Sequence, residues 1–179
     1  MCATLMKTIF IIFVFVGTAL TVVAMFTPGW AKDKSGTNRV GIITSSCQNS
    51  KNETACENWF KNQPGWEKAV IVLMVLAFLV EIAVLVWAVV SCLAICCPKL
   101  FYPLPTLCSF ATIFLVIALT IYGVKNKDQI GSAPKNEQDW NQTSDVGYSF
   151  WMGIAAIIVM AIASIIGFIA SFTSKVMPI

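Results

Sequence analysis

Few side chains in this chain have types and spacings that could do chemistry, and one of them stands where charge is costly. Glu81 lies about midway along an apolar run, Ala69–Ile95, and it is the one formally charged residue inside any of four such runs. An ionised carboxylate at that depth marks either a cation or proton pathway or a buried partnership. No Lys or Arg lies within a run to pair with it, and a single acid without a polar stripe does not line a pathway. The plainer reading is a largely protonated Glu hydrogen-bonded to a hydroxyl of a neighbouring helix, with Thr112, Thr120 and Thr18 as the partners on offer. The cysteines form two groups. Cys47 and Cys56 stand alone between the first two runs, as an oxidising compartment allows for a disulfide. Cys92, Cys96 and Cys97 crowd the end of the second run beside Pro98-Lys99. Two readings stay open there: S-palmitoylation, or reduced thiols acting as small apolar side chains. Asn52-Glu53-Thr54 and Asn141-Gln142-Thr143 are N-glycosylation sequons.

What is missing narrows the chemistry further. The 179 residues include no histidine, which removes the commonest general base, the commonest metal ligand and any His-based triad. The cysteine spacing is not that of a zinc site. No catalytic residue, cofactor or metal is therefore expected, and an enzyme is the poorest of the functional classes. The net charge of +3, from 12 basic and 9 acidic residues, is not gathered into a patch. A nucleic-acid footprint is absent on that ground.

The elements that must position these residues come from composition. The chain is 58% hydrophobic and 12% charged, where a soluble domain is about 45–50% apolar and about 25% charged. So little charge cannot coat a water-exposed surface, and such an apolar chain is not disordered. The apolar residues gather in runs at 8–26, 69–95, 104–124 and 146–172. Each suffices for a helix across a hydrocarbon core about 30 Å thick, which takes about 20 residues. The first run is too long for a signal-peptide core, and Thr27-Pro28-Gly29-Trp30 follows it instead of a small-residue cleavage site, so it reads as a retained span. Loops at 27–68 and 125–145 then lie on one side, and both termini share the other with the short turn at 96–103.

Two signals for orientation disagree. The sequons and the Cys47/Cys56 pair place the larger loops outside. The positive-inside count opposes this: Lys7, Lys99 and Lys175 would be cytosolic and the remaining nine of the 12 basic residues external. The sequons and cysteines are two independent signals in agreement, and the opposite segments are too short to hold many lysines. The expected placement is a multi-pass plasma-membrane protein with both termini cytosolic.

Within the first loop, Trp30-Ala31-Lys32 and Arg39–Thr44 are strand-like runs around a Lys34-Ser35-Gly36 turn. Trp59, Trp66, Trp140, Tyr148 and Trp151 sit where interfacial aromatic anchors belong. At these residues the chain resembles the claudin superfamily, which includes claudins, peripheral myelin and epithelial membrane proteins, PERP-type proteins and channel γ subunits. Its shared marks are a tryptophan soon after span one, a Gly-Leu-Trp element and two cysteines eight to ten residues apart. Trp30, Gly41, Cys47 and Cys56 occupy these places, but Gly41-Ile42-Ile43 lacks the tryptophan, as in a divergent or PERP-like member. Segment order, relative loop length and Gly147-Tyr148-Ser149-Phe150 ahead of span four carry the likeness over the whole chain, 1–179, as a single claudin-like domain. The resemblance implies an all-α membrane protein: a left-handed four-helix transmembrane bundle with a small extracellular β-sheet, pinned by the Cys47–Cys56 disulfide and completed by a strand from the second loop.

The remaining signals are quieter. Span four carries Ala155, Ala163, Gly167 and Ser171 at four-residue intervals, interrupted by Val159, which reads as the internal seam of the bundle before it reads as an oligomer interface. The first loop carries a net +2 and the second −1 with mixed signs, a solvated surface rather than an ion-selecting ring. The final Met177-Pro178-Ile179 is a short tail for a domain that binds apolar C-termini. The leading expectation is a structural protein of cell-cell junctions that presents its sheet for adhesion or barrier assembly. Its partners would be the lipid bilayer and other membrane proteins, either further copies or claudin-like neighbours. The alternative is an auxiliary (γ-type) subunit regulating an ion channel or receptor, which the same fold serves.

Overall fold

The computed structural model describes residues 2–27, 29–32, 39–40, 64–93, 101–125 and 148–176. These form α1 (Cys2–Phe26), β1 (Ala31–Lys32), β2 (Arg39–Val40), α2 (Gly65–Leu93), α3 (Pro103–Lys125) and α4 (Tyr148–Val176). All four helices are long and apolar enough to cross a membrane, over Leu5–Phe26, Gly65–Ser91, Pro103–Lys125 and Tyr148–Thr173. They form a ring in which α1 packs on α4 and α2, while α3 packs on α2 and α4. Neighbours run antiparallel: Gly17 of α1 lies against Met160 of α4, and Phe10 lies against Gly167. β1 and β2 pair antiparallel, Ala31 opposite Val40 and Lys32 opposite Arg39. They follow α1, so one end of the bundle is the sheet end and the other is the turn end.

The buried positions obey one rule on every helix. On α1 they include Phe10, Val14, Gly17, Thr21 and Ala24; on α2, Val70, Met74, Ala77, Glu81, Val84 and Ala88. On α3 they include Leu104, Cys108, Ala111, Leu115, Ala118 and Tyr122; on α4, Gly153, Ala156, Met160, Ala163, Gly167 and Ala170. The steps alternate between three and four, a period of 3.5, which is the repeat that a left-handed winding of helices keeps facing inward. This corrects the expectation for α4. Ala163 and Gly167 are on the seam, but Ala155 and Ser171 are half-buried flankers. A strict four-residue stripe drifts around a helix of 3.6 residues per turn.

The interior mixes small and polar side chains with a few large apolar ones such as Phe10, Leu115 and Met160, while large apolar side chains dominate the exterior. Phe15, Leu79, Val86, Ile158 and Phe172 are all well exposed, whereas Thr18, Thr21, Glu81, Ser149 and Ser164 are buried. A soluble bundle distributes them the other way; here hydrocarbon is the outside solvent, so small residues gain by close backbone approach. Built onto Gly167, a Cβ would stand 2.8 Å from Phe10 Cε2 and 3.0 Å from Pro105 Cγ. At the turn end, Phe10 and Phe101 meet edge-to-face with centroids 5.3 Å apart, and Lys7 Nζ lies 5.5 Å from the Phe101 centroid. Such a cation over a ring is a favourable cap for a bundle end near the headgroups.

Candidate functional site

The sheet end carries the most specific arrangement among the described residues. It starts with the end of α1, whose last carbonyls have no helical donors. Thr27 covers one of them twice, its amide lying 3.1 Å and its Oγ1 2.6 Å from the Val23 carbonyl. A tight turn follows, with the Gly29 amide 2.9 Å from the Thr27 carbonyl. That turn folds Trp30 back over the bundle, where its Nε1 donates to the Ala24 carbonyl at 2.6 Å. The indole is buried to 1% exposure and caps the helix from which its own chain emerges. Satisfying such groups internally matters where no water is available to do it.

The other helices close on the same ring. Tyr122, near the end of α3, donates its hydroxyl to the Trp30 carbonyl at 2.8 Å and meets the indole edge-to-face at 4.9 Å between centroids. Phe150, from the first turn of α4, packs 6.5 Å from Trp30 and 5.8 Å from Tyr122. Trp66, from the first turn of α2, reaches Tyr122 at 6.2 Å. Ser149 donates its amide to the Gly29 carbonyl at 3.3 Å, and its hydroxyl shares a 2.6 Å contact with Thr27 Oγ1. Gly29 has no room for a side chain: a Cβ would stand 2.6 Å from both Ser149 Oγ and Tyr148 Cε1. Thus α1, α3 and α4 hold the residue that immediately precedes β1, and α2 joins the cluster through Trp66 on Tyr122. What this arrangement can do is mechanical, since it fixes the strand's height and direction relative to the bundle.

The second feature lies in the interior. Glu81 is fully buried, and Thr21 Oγ1 stands 3.1 Å from its Oε1. The same hydroxyl stands 3.1 Å from the Gly17 carbonyl. A hydroxyl has one proton to give. Both contacts are full hydrogen bonds when Thr21 donates to Gly17 and a carboxylic acid proton from Glu81 reaches Thr21. Oε2 has no hydrogen-bond partner among the described residues, which an anion would tolerate poorly. The partners on offer in the sequence are corrected here: Thr18 bonds the Val14 carbonyl, Thr112 the Cys108 carbonyl, and Thr120 is exposed on the outer face. Thr21 was missed although a signal existed, since Thr21 and Glu81 both fall on the 3.5-residue seam while the other three lie off it.

Of the sequence-derived candidates, the structure thus brings Trp30 into the aromatic cluster and Glu81 into the seam. Trp66 and Trp151 differ from each other, the first half-buried against Tyr122 and the second exposed. Tyr122 had no motif to announce it, while Thr27 and Ser149 stood only within the Thr27–Trp30 and Gly147–Phe150 segments, with no role read for either. Gly41, Cys47, Asn52, Cys56, Cys96, Cys97, Asn141 and Trp140 lie outside the described residues, as does the side chain of Cys92. Among the described residues no group of three or more His, Cys, Asp or Glu gathers to hold a metal. A protein-family model described as tight junction protein, claudin-like, matches residues 1–176. No curated protein matches the chain.

Proposed function

Since the chain belongs to the claudin-like family of tight junction proteins, we propose that it works at cell contacts, presenting a sheet at the end of its bundle to partners in the same or the facing membrane. It is a claudin-like tetraspan of the membrane, and its four apolar helices imply the lipid bilayer as their surrounding. The adhesive or barrier-forming role is our reading. The observation that carries it is the hold of α1, α3 and α4 on Trp30, one residue before β1. A surface meant to meet a partner at fixed height and angle has to be held by the bundle, because a loop of this size has no core of its own.

In this reading residues 27–68 and 125–145 face outward at the plasma membrane, and Cys47 and Cys56 form the disulfide that stiffens the first of them. Asn52 and Asn141 carry glycans. Cys92, Cys96 and Cys97 anchor the turn side by acylation. The bundle contributes position, not catalysis.

Affinity purification of the full chain from native membranes, with identification of what accompanies it, tests this. Recovery with further copies or with other claudin-like tetraspans supports the contact role. Stoichiometric recovery with an ion channel or receptor would replace it with the auxiliary-subunit reading.

A further inference from the structure

The two loops at the sheet end have four stems, and the bonds between those stems cross from one loop to the other. The first loop follows α1 and precedes α2; the second follows α3 and precedes α4. Ser149 lies in the first turn of α4, whose leading amides have no acceptor within their own helix. The carbonyl of Gly29, from the first loop, accepts the Ser149 amide at 3.3 Å. Thr27 commits its hydroxyl proton to the Val23 carbonyl at 2.6 Å, so Ser149 is the donor in their 2.6 Å hydroxyl contact. From α3, Tyr122 donates to the Trp30 carbonyl at 2.8 Å. Trp30 packs on both Tyr122 and Phe150, and Trp66 of α2 lies against Tyr122.

Neither loop can release its stem alone. If residues 29–32 lift away, the Ser149 amide and the Tyr122 hydroxyl lose their acceptors, and both residues are buried. Buried donors without acceptors are costly. If instead the first turn of α4 unwinds, Thr27 loses the Ser149 hydroxyl and the Trp30 indole loses the cover of Phe150. Gly29 leaves no slack between the two, since even a Cβ there would stand 2.6 Å from Ser149 Oγ. Contacts that are lost together form a cooperative unit of local opening.

We propose that the stems of both loops open and close as one unit, so that a partner which orders either loop orders the other. The coupling needs no change of shape. A partner that binds only the closed stems of one loop meets the ordering cost for both, and a second partner then meets less of it. By linkage the effect is reciprocal, the second loop acting on the first as strongly as the first on the second. It holds whether the partner is a claudin-like neighbour or a channel, so it stands apart from the contact role.

The test is residue-resolved hydrogen–deuterium exchange on the full chain in phosphatidylcholine nanodiscs. The amides of Thr27 and Gly29, bonded to the Val23 and Thr27 carbonyls, report the first loop's stem. The amides of Met152 and Gly153, which close the first turn of α4, report the second. Tyr122→Phe and Ser149→Ala each delete one hydroxyl and keep the backbone and the packing, so both variants should fold. Each should speed exchange at both pairs of reporters by the same factor, about two- to tenfold, the weight of one hydrogen bond. Amides in the helix middles, near Val84 and Leu115, should keep the parent rate. The proposal is overturned if Tyr122→Phe speeds only Thr27 and Gly29 while Ser149→Ala speeds only Met152 and Gly153. An unchanged rate at all four reporters would overturn it too, as would an equal rise at Val84 and Leu115, which would mean loosening of the whole bundle.

Discussion

The hydroxyl of Tyr122 reaches across 92 residues of sequence to the carbonyl of Trp30, 2.8 Å away, while the two rings meet edge-to-face at 4.9 Å. One residue near the end of α3 thus holds both the backbone and the side chain of the residue leading into β1. The polar and aromatic parts of this contact separate by substitution. Tyr122→Phe keeps the ring and loses the hydrogen bond, at a cost of about 1 kcal/mol. Trp30→Ala loses the indole, its bond to Ala24 and a cavity's worth of packing, at about 3–5 kcal/mol. Unfolding of the two variants in detergent micelles should show that order; equal losses would mean that the ring contact contributes little.

Glu81 and Thr21 should behave as one unit. Glu81→Gln supplies an amide that can still donate to Thr21, so it should be close to neutral in surface delivery and stability. Glu81→Lys places an unpaired cation in the bundle interior and should fail delivery. Thr21→Val leaves the carboxyl oxygen without its partner and should cost about 1–3 kcal/mol. In Glu81→Gln the same Thr21 change should cost the lesser amount, a coupling that a double-mutant cycle reads directly. Normal folding of the Lys variant would contradict burial of the pair.

The glycines along the α1–α4 contact rank by what their missing Cβ would meet. At Gly17 it would stand 2.5 Å from Met160 Sδ, the far part of a flexible side chain. At Gly167 it would meet the Phe10 ring and, at 3.0 Å, the Pro105 ring, both rigid. Gly167→Ala should therefore destabilise more than Gly17→Ala, while Gly65→Ala, with nothing within 4 Å, should be tolerated. Thermal unfolding of the three variants checks the order.

Orientation has its own test. If residues 27–68 and 125–145 face outward, N-glycosidase should raise gel mobility, Asn52→Gln and Asn141→Gln should each account for part of the shift, and the double variant should run like the digested chain. Unchanged mobility in all four samples would remove the main support for both termini being cytosolic.

Much of the fold was legible because a hydrocarbon solvent writes strongly into a sequence. Runs such as Leu104–Val124 have little choice but to be helices, since every backbone group has to be satisfied within the segment. Helix ends were less legible, because apolar runs record membrane depth and not hydrogen bonding. α2 begins at Gly65 rather than Ala69, its polar first turn closing as the Glu67 and Lys68 amides donate to the Pro64 carbonyl at 3.0 and 3.2 Å. Glu67 there complements the positive end of the helix dipole. Trp30 could be singled out by its place after span one. Its partners could not, because nothing in the local sequence marks Tyr122, and Phe150 stood only within the Gly147–Phe150 segment, until the ring of helices brings them together. Glu81 was conspicuous for its charge, but Thr21 became conspicuous only once the 3.5-residue seam fixed which faces meet.

The central claim is that the bundle serves to hold a contact surface between cells. The most direct measurement is the distribution of the full chain in a polarised epithelial monolayer. Its density along cell–cell borders would be compared with that of a co-expressed single-span membrane marker. Enrichment of the parent chain several-fold over the marker is predicted, with loss of enrichment in a Trp30→Ala variant that still reaches the surface. A parent chain delivered to the surface but distributed like the marker would contradict the account.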